Sequence, residues 1–221
     1  EKVGGIMMID GINALARDPA TEVIVLVSKP PAKSVQDKVL AAAAACGKPV
    51  VACLLGGSEE AVTKAGLQFG KTTKEAALKA VILGGKKEEE INKRALNLPL
   101  IAETRAKLKP EQRYIRALLC GGTLCEEMML IAKESYDNVY SNIAKDPARK
   151  LKDVSTSIEH TFIDFGDDDF TRGRPHPMID PTNRISRLLQ EARDPEVGVI
   201  VMDFVLGFGS HEDPVGVMLD A

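Results

Sequence analysis

The chain has 221 residues, 44% hydrophobic and 28% charged, enough to bury a core in each of two halves of about a hundred residues. Its net charge is −3, with basic residues interspersed among acidic ones, which argues against nucleic acid or an acidic membrane as partner. There is no signal peptide and no bilayer-length apolar run, and the four cysteines, Cys46, Cys53, Cys120 and Cys125, form no CxxC pair. These features predict a cytoplasmic protein with reduced thiols and neither a disulfide framework nor a metal site.

In chain order, the apolar periodicity predicts a helix from about Met7 to Ala16, a strand over 22–27 and a helix over 33–46. A strand over 50–55, a helix from Ser58, a short strand near 67–69 and a helix over 73–82 complete a first domain, residues 1–83. The charge-dense segment 84–110 reads as a connector with some helix. In the second domain, residues 111–221, a strand over 113–120 precedes a helix from Thr123 to about Ser135. A polar surface insertion runs from Ser135 to His160, followed by a strand over 161–165, a helix over 181–192, a strand over 198–204 and a helix from near Pro214.

An ungapped internal repeat links the two halves. Shifted by 176 positions, Ala16-Arg17-Asp18-Pro19 falls on Ala192-Arg193-Asp194-Pro195, and Val23-Ile24-Val25 on Val199-Ile200-Val201. In both copies an amphipathic helix stops at Asp-Pro, because a residue preceding proline is pushed out of the helical region. The apolar runs that follow are those expected of strands covered on both faces. Helix then buried strand, twice, predicts an α/β fold with parallel sheets. The unit comes early in the first half and late in the second, so each half reads as incomplete and the chain as the middle of a longer protein.

Two strand ends open into glycine pairs followed by a hydroxyl residue, Gly56-Gly57-Ser58 and Gly121-Gly122-Thr123. Ser58 and Thr123 read as N-caps, Thr123 with Glu126 as a capping box. Each turn is either a simple helix cap or a cradle whose free N–H groups bind phosphate or carboxylate, although Glu59 and Glu60 would repel an anion from the first. Ligands of open α/β sheets bind at these carboxyl ends.

The stretch from Phe162 to Pro181 holds Gly166, three carboxylates (Asp167, Asp168, Asp169), Arg172, Arg174 and a proline-clamped His176, and ends where Asp180 caps a helix. His176 is a candidate phosphoryl carrier or acid–base group, or else a structural loop residue. Arg172 and Arg174 either bind a carboxylate, phosphate or CoA pyrophosphate or pair with the neighbouring aspartates. After the repeat strand, Asp203 is expected to face the same crevice as His176, with Gly207 and His211 in the following loop. No nucleophilic triad, GxGxxG or GxxxxGK[ST] fingerprint is present.

At these motifs the chain resembles the FdrA family, acyl-CoA synthetase-like proteins related to succinyl-CoA synthetase. The resemblance rests on Val27-Ser28-Lys29-Pro30-Pro31-Ala32, Gly121-Gly122-Thr123-Leu124, Asp164-Phe165-Gly166-Asp167-Asp168 and residues Gly173 to Pro181. It implies two flavodoxin-like CoA-ligase domains, CoA as a cofactor, an upstream CoA-binding-like domain, and a small carboxylate or acyl substrate. It also implies a homo-oligomer, partner subunits and ATP or another nucleotide with Mg2+, the last from an ATP-grasp domain this chain does not show. One departure is clear. The synthetase's phospho-histidine loop, Gly-His-Ala-Gly, corresponds here to Gly56 through Gly66, which contains no histidine. The function implied is acyl-CoA ligation or handling of CoA and acyl phosphates, against a carbamoyl-transferring subunit or a non-catalytic scaffold.

Overall fold

A computed structural model describes residues 3–91 and 96–220; residues 92–95 of the expected connector lie outside the described residues, as do Glu1, Lys2 and Ala221. The chain divides into two compact units, residues 1–95 and 96–221.

In unit 1, α1 (Ile6–Arg17) leads into β1 (Ile24–Ser28), α2 (Lys33–Ala44), β2 (Val50–Leu54), α3 (Glu59–Lys64), β3 (Gln68–Phe69) and α4 (Thr73–Leu83). The three strands are parallel in the order β1-β2-β3. Because side chains alternate across a strand, Ile24, Leu26, Val50, Ala52 and Leu54 meet Ile12, Leu40 and Val62 on one face. Helix α4 packs against β2 and β1, and Ser58 and Thr72 cap α3 and α4 by accepting from Ala61 N and Glu75 N.

Unit 2 begins with α5 (Leu98–Lys107) and continues through β4 (Tyr114–Leu119), α6 (Gly122–Lys133), β5 (Val139–Ser141), β6 (His160–Asp164), α7 (Asp168–Thr171), α8 (Thr182–Ala192), β7 (Val197–Met202) and α9 (Gly216–Leu219). Its sheet is parallel in the order β5-β6-β4-β7. The expected α/β architecture with parallel sheets is therefore the observed one.

Two sequence expectations need correction. Residues 135–160 are not a surface insertion: Val139, Ser141, Asn142 and Leu151 are buried, and β5 forms an edge of the sheet. Nor are the repeat strands covered on both faces. Both β1 and β7 are edge strands, and Val25, Val27 and Val199 are 39%, 41% and 48% exposed. The Asp-Pro of each copy does act alike, since Asp18 and Asp194 each accept from the backbone N–H two residues on, Ala20 and Glu196.

The core of unit 2 contains charge. Arg116 in β4 and Glu191 of α8 have side chains 2% exposed and pair at 2.9 Å, while Arg116 also reaches Asp194 at 2.9 Å. Glu191 further accepts from Arg187 and from Ser157 Oγ, and Arg187 donates to Val154 O at 2.8 Å and Ser157 Oγ at 2.7 Å. The network ties β4, α8 and the 154–157 loop together. Breaking one partner of a buried ion network costs about 3–5 kcal/mol. Glu191→Gln should lower stability by about that amount in a urea titration; a loss under about 1 kcal/mol would show that the network contributes little.

At the amino end of β6, His160 is buried, accepts from Ile115 N through Nδ1 at 3.2 Å and lies 4.0 Å from the Tyr136 ring. Burial first, then the Arg116 charge, lowers its pKa below the usual 6.5. The folded state thus prefers neutral His160, and the unfolded chain binds more protons just below that value, so stability is full above it and falls as pH drops. Between about pH 7 and about pH 5.5 the protein should lose more stability than a His160→Gln variant does. Equal pH slopes would count against it.

Candidate functional site

The crevice of unit 2 follows from its topology. Helix α6 covers the face of Ala117, Leu119 and Phe162, whereas Leu188 of α8 packs on the opposite face against Leu118, Ile163 and Phe165. Strands β4 and β6 are neighbours whose following connections leave to opposite sides, which opens a crevice between their carboxyl ends. The loops that meet there are Cys120-Gly121-Gly122 after β4 and Phe165-Gly166 after β6, with Asp203 following β7 on β4's other side.

Gly121 is the N-cap of α6 in an extended conformation, and no side chain caps the helix. The expected capping box of Thr123 and Glu126 does not form. Gly122 already takes the first helical position, so Thr123 lies inside the first turn and is exposed. Glu126 is buried and its carboxylate accepts instead from Lys145 Nζ at 2.7 Å. The N–H groups of Gly122, Thr123 and Leu124 consequently have no acceptor among the described residues. They sit at the positive end of a 12-residue helix dipole.

Asp203 clips two strand ends together. Its Oδ1 accepts from Cys120 N at 2.7 Å and from Arg184 Nη2 at 3.1 Å, and the same Nη2 reaches Leu118 O at 2.8 Å. The side chain is 8% exposed, yet Oδ2 has no hydrogen-bond partner. That oxygen lies beside Gly121, 3.4 Å from where a Cβ would stand. Burial, then the Asp203 carboxylate, pushes the neighbouring Cys120 thiol up to about 11, so it stays protonated at neutral pH.

His176 approaches from the β6 side. A Cβ on Gly166 would stand 2.8 Å from His176 Nε2 and 3.1 Å from Cys120 O, so glycine is what allows the imidazole to close on the β4–β6 turn. His176 Nδ1 accepts from Met178 N at 3.2 Å, which places the proton of the neutral ring on Nε2. The His211 loop braces this segment, with His211 N donating to Met178 O at 2.7 Å.

Of the residues singled out from sequence, Gly121, Gly122, Gly166, His176 and Asp203 converge on the crevice, with Thr123 in the adjoining first turn. Arg172 and Arg174 do not join them. They line a separate cavity against α8, where Arg172 faces Asp168 at 3.5 Å and Arg174 donates to Asn183 Oδ1 at 2.9 Å. Gly207, with φ +142°, closes an exposed turn by accepting from Ser210 N and Oγ. Arg184 was missed by the sequence reading although it sets the crevice; its position in α8 looks like any charged helix residue. Gly166→Ala should keep the fold but displace the His176 ring, seen as a moved imidazole resonance. An unmoved resonance would contradict the close approach.

Comparison with known proteins gives a partial family match and a curated relative. The chain is 64% identical over 216 residues, 98% of its length, to the uncharacterized protein YahF of Escherichia coli (strain K12). It spans 42% of the length of that relative. Among the described residues no helix is long and apolar enough to cross a membrane. Residues 118–221, the part that builds the crevice, match the CoA-ligase family model, and the two parallel sheets agree with a flavodoxin-like CoA-ligase fold of the succinyl-CoA synthetase kind.

Proposed function

We propose that the crevice of unit 2 binds the phosphoryl or carbonyl oxygens of an activated acyl compound, an acyl phosphate or acyl-CoA thioester. The protein then acts as a ligase of the succinyl-CoA synthetase type or as a protein that handles its acyl intermediates. The observation that carries this reading is the uncapped start of α6 at the crossing point of the sheet. Three backbone donors and a helix dipole converge there on one anionic oxygen cluster.

His176 Nε2–H supplies a further donor from the β6 side, since Nδ1 is occupied as an acceptor. In this tautomer the ring stabilises developing negative charge rather than attacking as a phosphoryl carrier, which accords with the histidine-free Gly56–Gly66 loop. CoA, when bound, supplies the thiol that carries the acyl group. The FdrA resemblance puts the domain that holds its nucleotide end upstream. ATP and Mg2+ would be held by another part of the protein or a partner subunit. Among the described residues, no cluster of three or more His, Cys, Asp or Glu is placed for a cation.

A second reading, a carbamoyl-transferring subunit, is favoured by one specific atom. Asp203 Oδ2 is a buried acceptor that no N–H or O–H reaches, beside the helix start, with the Cys120 thiol as its carboxylate's near neighbour. A carbamoyl group would give its oxygen to the α6 N–H groups and its NH2 to Asp203, whereas an acetyl group offers no donor.

Both readings are open to one experiment on the full-length protein. Gly122→Pro removes a single N–H at the first helical position, where proline is tolerated. The variant should weaken acetyl phosphate and carbamoyl phosphate binding about tenfold with little change in thermal stability. Unchanged affinity would sink the anion site. Because the two ligands differ in NH2 against CH3, a preference of about tenfold for carbamoyl phosphate supports the second reading, and equal affinities support the first.

A further inference from the structure

The cavity that holds Arg172 and Arg174 is built from different parts than the crevice. It lies between residues 165–174, Ser155 and the side of α8 that carries Asn183, Ser186, Arg187 and Gln190, with a volume of about 390 Å3, within the range of small-ligand sites. Its lining is mostly polar, with the half-buried Phe170, stacked 4.5 Å from Phe165, as an apolar wall.

The hydrogen bonds already made determine what remains for a ligand. Arg174 Nη1 is spent on Asn183 Oδ1, which leaves the Nε and Nη2 edge of the guanidinium unengaged among the described residues. That edge presents two parallel N–H groups in the geometry that matches a carboxylate or phosphate. Because Asn183 Oδ1 is taken by the arginine, its Nδ2 group is left as a third donor alongside. Arg172 adds a second positive charge, held only by a 3.5 Å contact to Asp168 with both side chains about four-fifths exposed (83% and 79%). Farther along α8 the character reverses. Ser186 Oγ donates to Thr182 O and Gln190 Nε2 donates to Ser155 O, so both offer acceptors to the cavity, as does Asp169. Arg187 contributes no free charge, being paired with Glu191.

We propose that this cavity is a second ligand site, distinct from the crevice, for a small oxyanion that carries a hydroxyl or amino group at its other end. Arg174, Asn183 and Arg172 hold the carboxylate or phosphate; Ser186, Gln190 and Asp169 accept from the hydroxyl or amine. A plain anion without that donor engages half of the site.

Isothermal titration of the full-length protein with 4-hydroxybutyrate, butyrate and inorganic phosphate tests this. 4-Hydroxybutyrate should bind more tightly than butyrate, by about fivefold, since the two differ by one terminal hydroxyl; equal affinities would overturn the role of the far-end acceptors. Arg174→Ala should weaken either at least tenfold, and Arg174→Lys should not restore it, because an ammonium cannot form the fork. If phosphate binds and the two carboxylates do not, the oxyanion is a phosphoryl group, and the same Arg174 dependence is expected. The proposal is overturned if none of the three binds, or if their binding is indifferent to both Arg174→Ala and Asn183→Ala. Gly122→Pro should leave the Arg174-dependent preference for 4-hydroxybutyrate over butyrate intact, so loss of this site is separable from loss of the crevice.

Discussion

One charge in the middle of a strand governs the second unit. Arg116 lies in β4 with its side chain 2% exposed, and a guanidinium cannot shed its proton to suit a dry environment. It has to be met by carboxylates, and α8 supplies Glu191 with Asp194 just beyond its end. Arg184, Arg187 and Glu191 recur at helical spacing, so the face that α8 turns inward is ionic as much as apolar. Desolvating such groups is expensive, and well-packed apolar residues could match their stability. What the ionic face adds is register. Slipping β4 by one residue would turn Arg116 to the α6 side, among Met129 and Phe162 and away from Glu191 and Asp194.

That register fixes the crevice. Arg184 reaches Leu118 O and Asp203 O at the ends of β4 and β7, and Asp203 Oδ1 binds Cys120 N just after β4. The carboxylate of Asp203 therefore closes the sheet with one oxygen and leaves the other bare beside Gly121. A buried acceptor without a donor costs about 1–3 kcal/mol. An asparagine would not remove that cost, since its Nδ2 would stand there as an unpaired donor and Arg184 would lose its counter-charge. The orphan oxygen is the atom on which the proposed carbamoyl reading rests.

The helix–strand order, the Asp-Pro stops and the glycine turns were legible because they depend on local backbone preferences. The wider crevice was partly legible: Gly166 and His176 stood out through proline and glycine around an imidazole. What the pattern hid was compensation at a distance. Residues 135–160 look solvent-facing because they are polar, yet Ser157 and Val154 O are polar in order to satisfy Arg187. Asn142 bonds both the N–H and the C=O of Asp164, standing in for a strand neighbour. Arg116 inside Ile115 to Leu119 was the available signal, a charge in an apolar strand that demands a partner. Edge position was equally hidden, because an apolar run such as Val23 to Val27 reads the same whether one face or both are covered.

The two glycine turns show how similar sequence leads to opposite chemistry. At Gly56-Gly57-Ser58 the serine takes the cap position, its Oγ accepts from Ala61 N, and Glu59 and Glu60 occupy the first turn of a six-residue helix. The N-terminal charge is thus satisfied by the chain itself. At Gly121-Gly122-Thr123 the second glycine enters the helix, which moves the hydroxyl past the cap position and leaves three N–H groups open. Two residues of difference in where the helix begins decide whether the turn is closed by its own side chain or left with open N–H groups. It is this offset, more than the glycines, that places the candidate chemistry on the second unit.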